Sequence, residues 1–231
     1  MAFRKIINAY VSRVKGESYV IDARVPTGYL LRTSIARAIM KLRGRLLFIG
    51  HRQYPFVGRA ATIRCKGKMV FGKGVSIGGH AYLDALSSEG IRLGNNVSVG
   101  RGTRIECTGN LRFLGKGLRV EDNAGLGTDN FFGCAGGIHI GKDTIIGNFV
   151  SFHAENHIFS DPNVPIRLQG VEHRGIRVGS DCWIGAKCTI LDGAVIEDGC
   201  IIAAGALVIA GTYQKNGIYG GVPARLLKHR S

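Results

Sequence analysis

The residues best suited to chemistry gather in one stretch, 153–175. It holds His153, Glu155, His157 and His173, three of the seven histidines, together with Pro162, Pro165 and several charges. An imidazole with an ordinary pKa near 6.5 is mostly neutral at pH 7 and can take a proton from a hydroxyl as that hydroxyl attacks. On residue type alone, His153 and His157 are rival bases. Glu155 could orient such a ring, and a neighbouring backbone carbonyl could do so equally well. His173 reads as a solvated loop residue. Metal chemistry is a second option, because His153 and His157 stand four apart with His80 and His139 upstream, a set that zinc could use. The prolines and charges mark the stretch as a long loop, the usual seat of function on a rigid scaffold.

The elements around this loop are written in a repeat of six. Val178, Ile184, Ile190, Ile196, Ile202 and Val208 follow one another at that interval, and Cys182, Cys188, Ala194, Cys200 and Ala206 stand four places after the first five. Period six fits neither a helix nor a flat strand. It fits a chain that turns a corner every six residues, with three faces closing a triangular coil and the coils stacking into a parallel β-solenoid. Upstream runs repeat the pattern: Phe71, Ile77 and Leu83; Leu93, Val99 and Ile105; Leu114, Val120 and Leu126; Ile140, Ile146 and Phe152. Glycine follows the large residue at Gly78, Gly94, Gly147 and Gly185 among others, which suggests a tight bend at positive φ. The register slips around 84–90, 106–112, 131–137 and 153–175, which predicts loops extruded from a corner. The expected division is a basic segment over 1–60, a solenoid over 61–212 and a C-terminal cap over 213–231.

Composition narrows the class. A chain of 231 residues has room for one solenoid with caps. No apolar run is long enough for a membrane-spanning helix, and the first twenty residues lack the apolar core of a signal peptide. The cysteines in the small slots read as compact hydrophobes and not as a disulfide framework, so the expected location is a reducing cytoplasm. Residues 1–73 carry sixteen Lys and Arg against only Glu17 and Asp22, so nearly all of the +15 formal charge lies there. Within them Thr27 could cap a helix running to about Gly44, with Leu31, Ile35, Ala38 and Leu42 as one stripe and Arg32, Arg37, Lys41 and Arg43 elsewhere on its surface. Two readings stay open for that helix. Through residues 1–45 it could contact the cytoplasmic face of an anionic inner membrane, or it could cap the first coil. Nucleic-acid binding is disfavoured, since no known module is present and aromatic residues do not interleave with the basic ones.

The repeat resembles the left-handed β-helix acyltransferases built on hexapeptide repeats, over about residues 60–228. The stretch Ile176-Arg-Val-Gly-Ser-Asp-Cys-Trp183-Ile-Gly-Ala186 and the ending Gly220-Gly-Val-Pro-Ala-Arg225-Leu-Leu-Lys228 are similar to the maltose, galactoside and xenobiotic acetyltransferase branch. The loop from Glu155-Asn156-His157 to Asp161-Pro162 looks most like the O-acetyltransferases of bacterial surface polysaccharides. The N-terminal signature of the maltose enzymes is missing, and a basic segment replaces it.

That resemblance implies an all-β left-handed parallel β-helix and acetyl transfer from acetyl-CoA to a sugar hydroxyl, with no metal. His157 stands in the family's position for the base, and Asn130 is the nearest candidate for its acceptor-binding Asn. The resemblance assigns Trp183, Ala186 and Ala204 to the coenzyme wall, with Arg225 and Lys228 as the C-terminal phosphate-binding pair. Where relatives carry Thr-Lys after the last repeat this chain has Ile209-Ala210, so one contact is missing or comes from Lys215. The resemblance also implies a homotrimer acting on a carbohydrate acceptor, with sites shared between chains. Transfer to an amine of an amino sugar or xenobiotic, a γ-carbonic-anhydrase-like zinc protein and a non-catalytic basic scaffold are the remaining alternatives.

Overall fold

A computed structural model describes residues 2–15 and 18–230; Glu17, one of the two N-terminal acids, lies outside the described residues. From Phe56 onward the chain winds as a three-sided prism. The first face is a nine-stranded sheet beginning with Phe56–Val57 and ending with Gly217–Gly220 and Arg225–His229. The second face has seven strands, from Thr62–Arg64 to Leu207–Val208, and the third has seven, from Met69–Phe71 to Gly211–Tyr213. Successive coils pair in parallel, as in Ile145↔Trp183↔Ile201 on the first face and Phe132↔Phe152↔Ile190 on the second. Among the described residues the one antiparallel addition to the three faces is the last strand, Arg225–His229 on Gly217–Gly220. The strands of the prism thus run from Phe56 to His229, past both ends of the 61–212 span read from the repeat.

In the regular coils a strand of the first or second face sends one large side chain inward, a strand of the third, such as Ile138–Ile140 or Ile176–Val178, sends two, and small residues such as Cys182 and Cys188 fill the space beside them. All six large and five small residues of the unbroken run are buried. Each buried Val, Ile or Leu is worth roughly 1.5–3 kcal/mol, so the stacked lines form the core. Phe132 and Phe152 stack directly, their ring centroids 4.7 Å apart, and continue the same inward line. Two details depart from the sequence reading. Leu114 is exposed in a loop, and Leu118 and Val120 take the inward positions of that coil. The glycines after the large residues have ordinary φ; they are small because the next coil passes against them. A Cβ on Gly147 would lie 2.7 Å from the Ala186 nitrogen, and one on Gly185 would lie 2.5 Å from that of Ala204. Left-handed φ falls instead on other glycines, such as Gly74, Gly102 and Gly199, and on polar corner residues such as Asn96, Asn123, Asp129, Asp143 and Asp181.

The four slips of register share one edge, the second, between the second and third faces. Tight links of two residues join these faces at 192–193 and 209–210, whereas 85–90, 107–117, 134–137 and 154–175 are longer. Phe131–Gly133, read as part of a loop, is a regular strand of the second face.

Two helices precede the prism. α1 (Ala2–Lys15) is tied to the connection before α2 by Arg4, which donates to the Asp22 and Val25 carbonyls, and by Asn8 Oδ1, which accepts from Ile21 N–H. α2 (Thr27–Leu47) runs three residues beyond the expected end. Pro26, not Thr27, holds its N-cap position, and no side chain caps it. α2 seats on the first coil through Gly44, where a Cβ would meet the Pro55 carbonyl oxygen, and through Arg37, whose guanidinium lies 4.8 Å from the Phe56 ring centroid. Phe48, just past α2, plugs the open end of the core, edge-on to Phe71 at 4.9 Å. The stripe of Leu31, Ile35 and Leu42 does not face the prism: all three are exposed, with Ile39 and Leu46 beside them. Among the described residues no helix is long and apolar enough to cross a membrane.

Candidate functional site

The 154–175 loop leaves the prism after strand Ser151–His153 and returns into Ile176–Val178. Its base is a two-stranded antiparallel ladder in which Asn156 pairs with Glu172 and His157 with Val171. Its tip is closed by Gln169, whose amide donates to the carbonyls of Asp161 (2.8 Å) and Val164 (2.7 Å) and accepts from Asp161 N–H. α3 (Ile166–Gln169) forms one short turn there. Asp192 pins the returning strand. Its buried carboxylate accepts from the N–H groups of Arg174 (2.9 Å) and Gly175 (2.7 Å). Asp192 escaped the sequence reading; the available signal was a lone acid inside the apolar stretch Ile190-Leu-Asp-Gly-Ala-Val-Ile196.

His157 stands on that ladder with its side chain exposed, and among the described residues no side chain bonds to its ring. Glu155 does not orient it. The Glu155 carboxylate reaches His173 instead, 3.5 Å from Nε2, and His173 in turn sits over the coil at Gly136. His173, read as a solvated loop residue, is exposed as expected and has Glu155 as a partner. Strand alternation sets Glu155, His157, Val171 and His173 on one side of the ladder. His153 is on the second face of the prism, its ring 5.5 Å from that of Phe131, and burial pulls its pKa below the ordinary value.

Asn130 is not available to an acceptor. It is only 2% exposed; its Nδ2 donates to the Gly147 carbonyl (2.8 Å) and its Oδ1 accepts from Val150 N–H (2.7 Å), so it stitches one coil to the next. The histidines raised as zinc ligands are dispersed. His80 is at the first edge, His139 on the third face 3.0 Å from Glu121, His153 on the second face and His157 on the loop. Among the described residues no group of three or more His, Cys, Asp or Glu could hold a metal ion. The thiols of Cys182, Cys188 and Cys200 point inward and burial pushes them up, Cys182 to about 11, so they stay protonated and are poor nucleophiles.

The residues assigned to the coenzyme lie elsewhere on the prism. Trp183, 55% exposed, stands on the first face between Ile145 and Ile201. Ala186 and Ala204 follow at the first edge, stacked one coil apart, with Gly205 N–H donating to the Ala186 carbonyl at 2.9 Å. Arg225 and Lys228 are exposed on the final strand, three strand spacings or about 14 Å from that of Trp183. Lys215 is not with them; it lines a hollow of about 450 Å³ on the third face with His139, Arg177 and Glu197.

A three-sided column of six-residue turns defines a fold class: the chain is a left-handed parallel β-helix. Residues 175–210 match the family described as bacterial transferase hexapeptide (six repeats). A probable acetyltransferase of Mycobacterium tuberculosis (strain ATCC 25618 / H37Rv) is 30% identical over 120 residues, 52% of this chain, and the chain spans 36% of that relative's length. Similar solved structures include AntD, an N-acyltransferase from Bacillus cereus solved with dTDP and coenzyme A. It is 22% identical, with 81% of this chain and 88% of that one covered at a TM-score of 0.49. A maltose O-acetyltransferase from Clostridium difficile 630 is 15% identical, with 100% and 88% covered at a TM-score of 0.40.

Proposed function

We propose that this chain is an acetyl-CoA-dependent O-acetyltransferase acting on a sugar hydroxyl of a bacterial surface polysaccharide or its precursor. In this reading the imidazole of His157 takes the hydroxyl proton as the oxygen attacks the thioester carbonyl. Backbone N–H groups hold the oxyanion, and the proton then passes to the departing thiolate of coenzyme A. No acyl-cysteine forms, in keeping with the inward, protonated thiols. Trp183, Ala186 and Ala204 would line the pantetheine, with open space at Gly205 beside the exposed Ala204. Arg225 and Lys228 would meet the coenzyme's phosphates.

The observation that carries the reading is a separation within one chain. The only loop histidine with a free, exposed ring belongs to the second edge among the described residues, whereas Trp183, Ala186 and Ala204 belong to the first face and first edge. Neither half is a complete pocket. Prisms set side by side, each lending one edge to its neighbour, would complete both, so a homotrimer is part of the proposal. The test is thiol release from acetyl-CoA with lipid-linked and free oligosaccharides and with an amino sugar, for wild type and His157→Ala. Hydroxyl-dependent release abolished in the variant is expected. Release with the amine alone would reassign the chain to N-acylation, and no release with any acceptor would overturn the proposal.

A further inference from the structure

α2 carries a second pattern that the catalytic reading does not use. Leu31, Ile35, Ile39, Leu42 and Leu46 recur at intervals of three and four, which aligns them along one side of the helix. They are 50%, 53%, 45%, 57% and 62% exposed. This line points away from the side that seats on the prism through Gly44 and Arg37. By helical spacing, Lys41 and Arg45 border the line on one flank, and Arg32 and Arg43 border it on the other. Neither α1 nor α2 contains an acidic residue.

We infer that the outer side of α2 docks on an anionic lipid bilayer, with the leucines and isoleucines entering the boundary between headgroups and acyl chains while the flanking cations meet lipid phosphates. Charge selects this occupant. A second copy of the same helix would bring cations against cations, whereas an anionic surface opposes the charge on both flanks. Long Lys and Arg stems can lie along the apolar line and keep their charged ends at headgroup level. The inference is independent of the acetyl-transfer reading, because it concerns the opposite end of the prism from the coenzyme-facing residues.

The test is flotation of the full chain with vesicles of phosphatidylcholine alone or mixed with phosphatidylglycerol, at low and high salt. Wild type, Ile35→Asn/Leu42→Asn and Arg32→Gln/Arg45→Gln are compared, with circular dichroism, Tm and gel filtration as controls. Wild type should float at least tenfold more with the anionic vesicles, and less so at high salt. Both variants should lose most of that binding with unchanged fold, oligomer size and acetyl transfer to a soluble acceptor. Equal binding to neutral vesicles, or full binding by the leucine–isoleucine variant, would overturn the inference. So would a wild type that ignores vesicles but forms larger assemblies that Ile35→Asn/Leu42→Asn disperses, which would make a second copy the occupant.

Discussion

Branched aliphatic residues occupy two lines in this molecule and meet opposite fates. At intervals of six, from Val178 to Val208, they are sealed inside the prism; at intervals of three and four, from Leu31 to Leu46 on α2, they are displayed. Periodicity tells which residues share a side. Whether that side is covered depends on what seats the element, and α2 is seated by Gly44, a residue with no side chain to announce it. The histidine loop belongs with the displayed regions: it is anchored by Asp192 and spends its own side chains outside the core. Buried positions should therefore control stability with little direct effect on chemistry, and displayed positions the reverse.

The sharpest break of that rule would come from His157. His157→Ala should lower turnover by roughly 10²–10⁴-fold while leaving the thermal midpoint and oligomer size unchanged; steady-state kinetics beside calorimetry would measure both, and near-normal turnover would remove the proposed base. Phe152→Ala, on the buried line and stacked on Phe132, should destabilise the fold by about 3–5 kcal/mol in denaturant titrations. Asn130→Ala should cost about 1–3 kcal/mol, because it strands Val150 N–H and the Gly147 carbonyl. Its KM for the acceptor should not move; a raised KM with unchanged stability would restore Asn130 to the acceptor site. The smallest effect concerns His153. Burial lowers its folded pKa, so the unfolded chain binds a proton first as pH falls below about 6.5. Stability should drop as pH falls from there to the lower folded value, and His153→Gln should flatten that limb of the curve.

Much of the column was legible because its rule is local: a large residue, four places, a small one. The failures are places where the neighbour is remote in sequence. Gly185 is small because of Ala204, Asn130 is consumed by Gly147 and Val150, and Glu155 is claimed by His173 across the loop. Leu114 fits the spacing but falls in an extruded segment, since periodicity does not report how long a corner is. The loop itself was legible through the interruption of the repeat, as were Trp183 facing outward and the thiols facing inward. The direction of the stripe on α2 was not, for the reason Gly44 supplies.

Parallel stacking also gives the molecule a ruler. Each full coil advances the chain along the prism by one strand spacing, about 4.8 Å, and leaves all three faces in phase. Removing one whole turn between the histidine loop and the last strand would slide Arg225 and Lys228 toward the loop by that increment and alter no corner. On the proposed reading, the reach between the two ends of a thioester donor would be set by counting turns, a dimension that insertion or loss of repeats can change in fixed steps without redesigning either end.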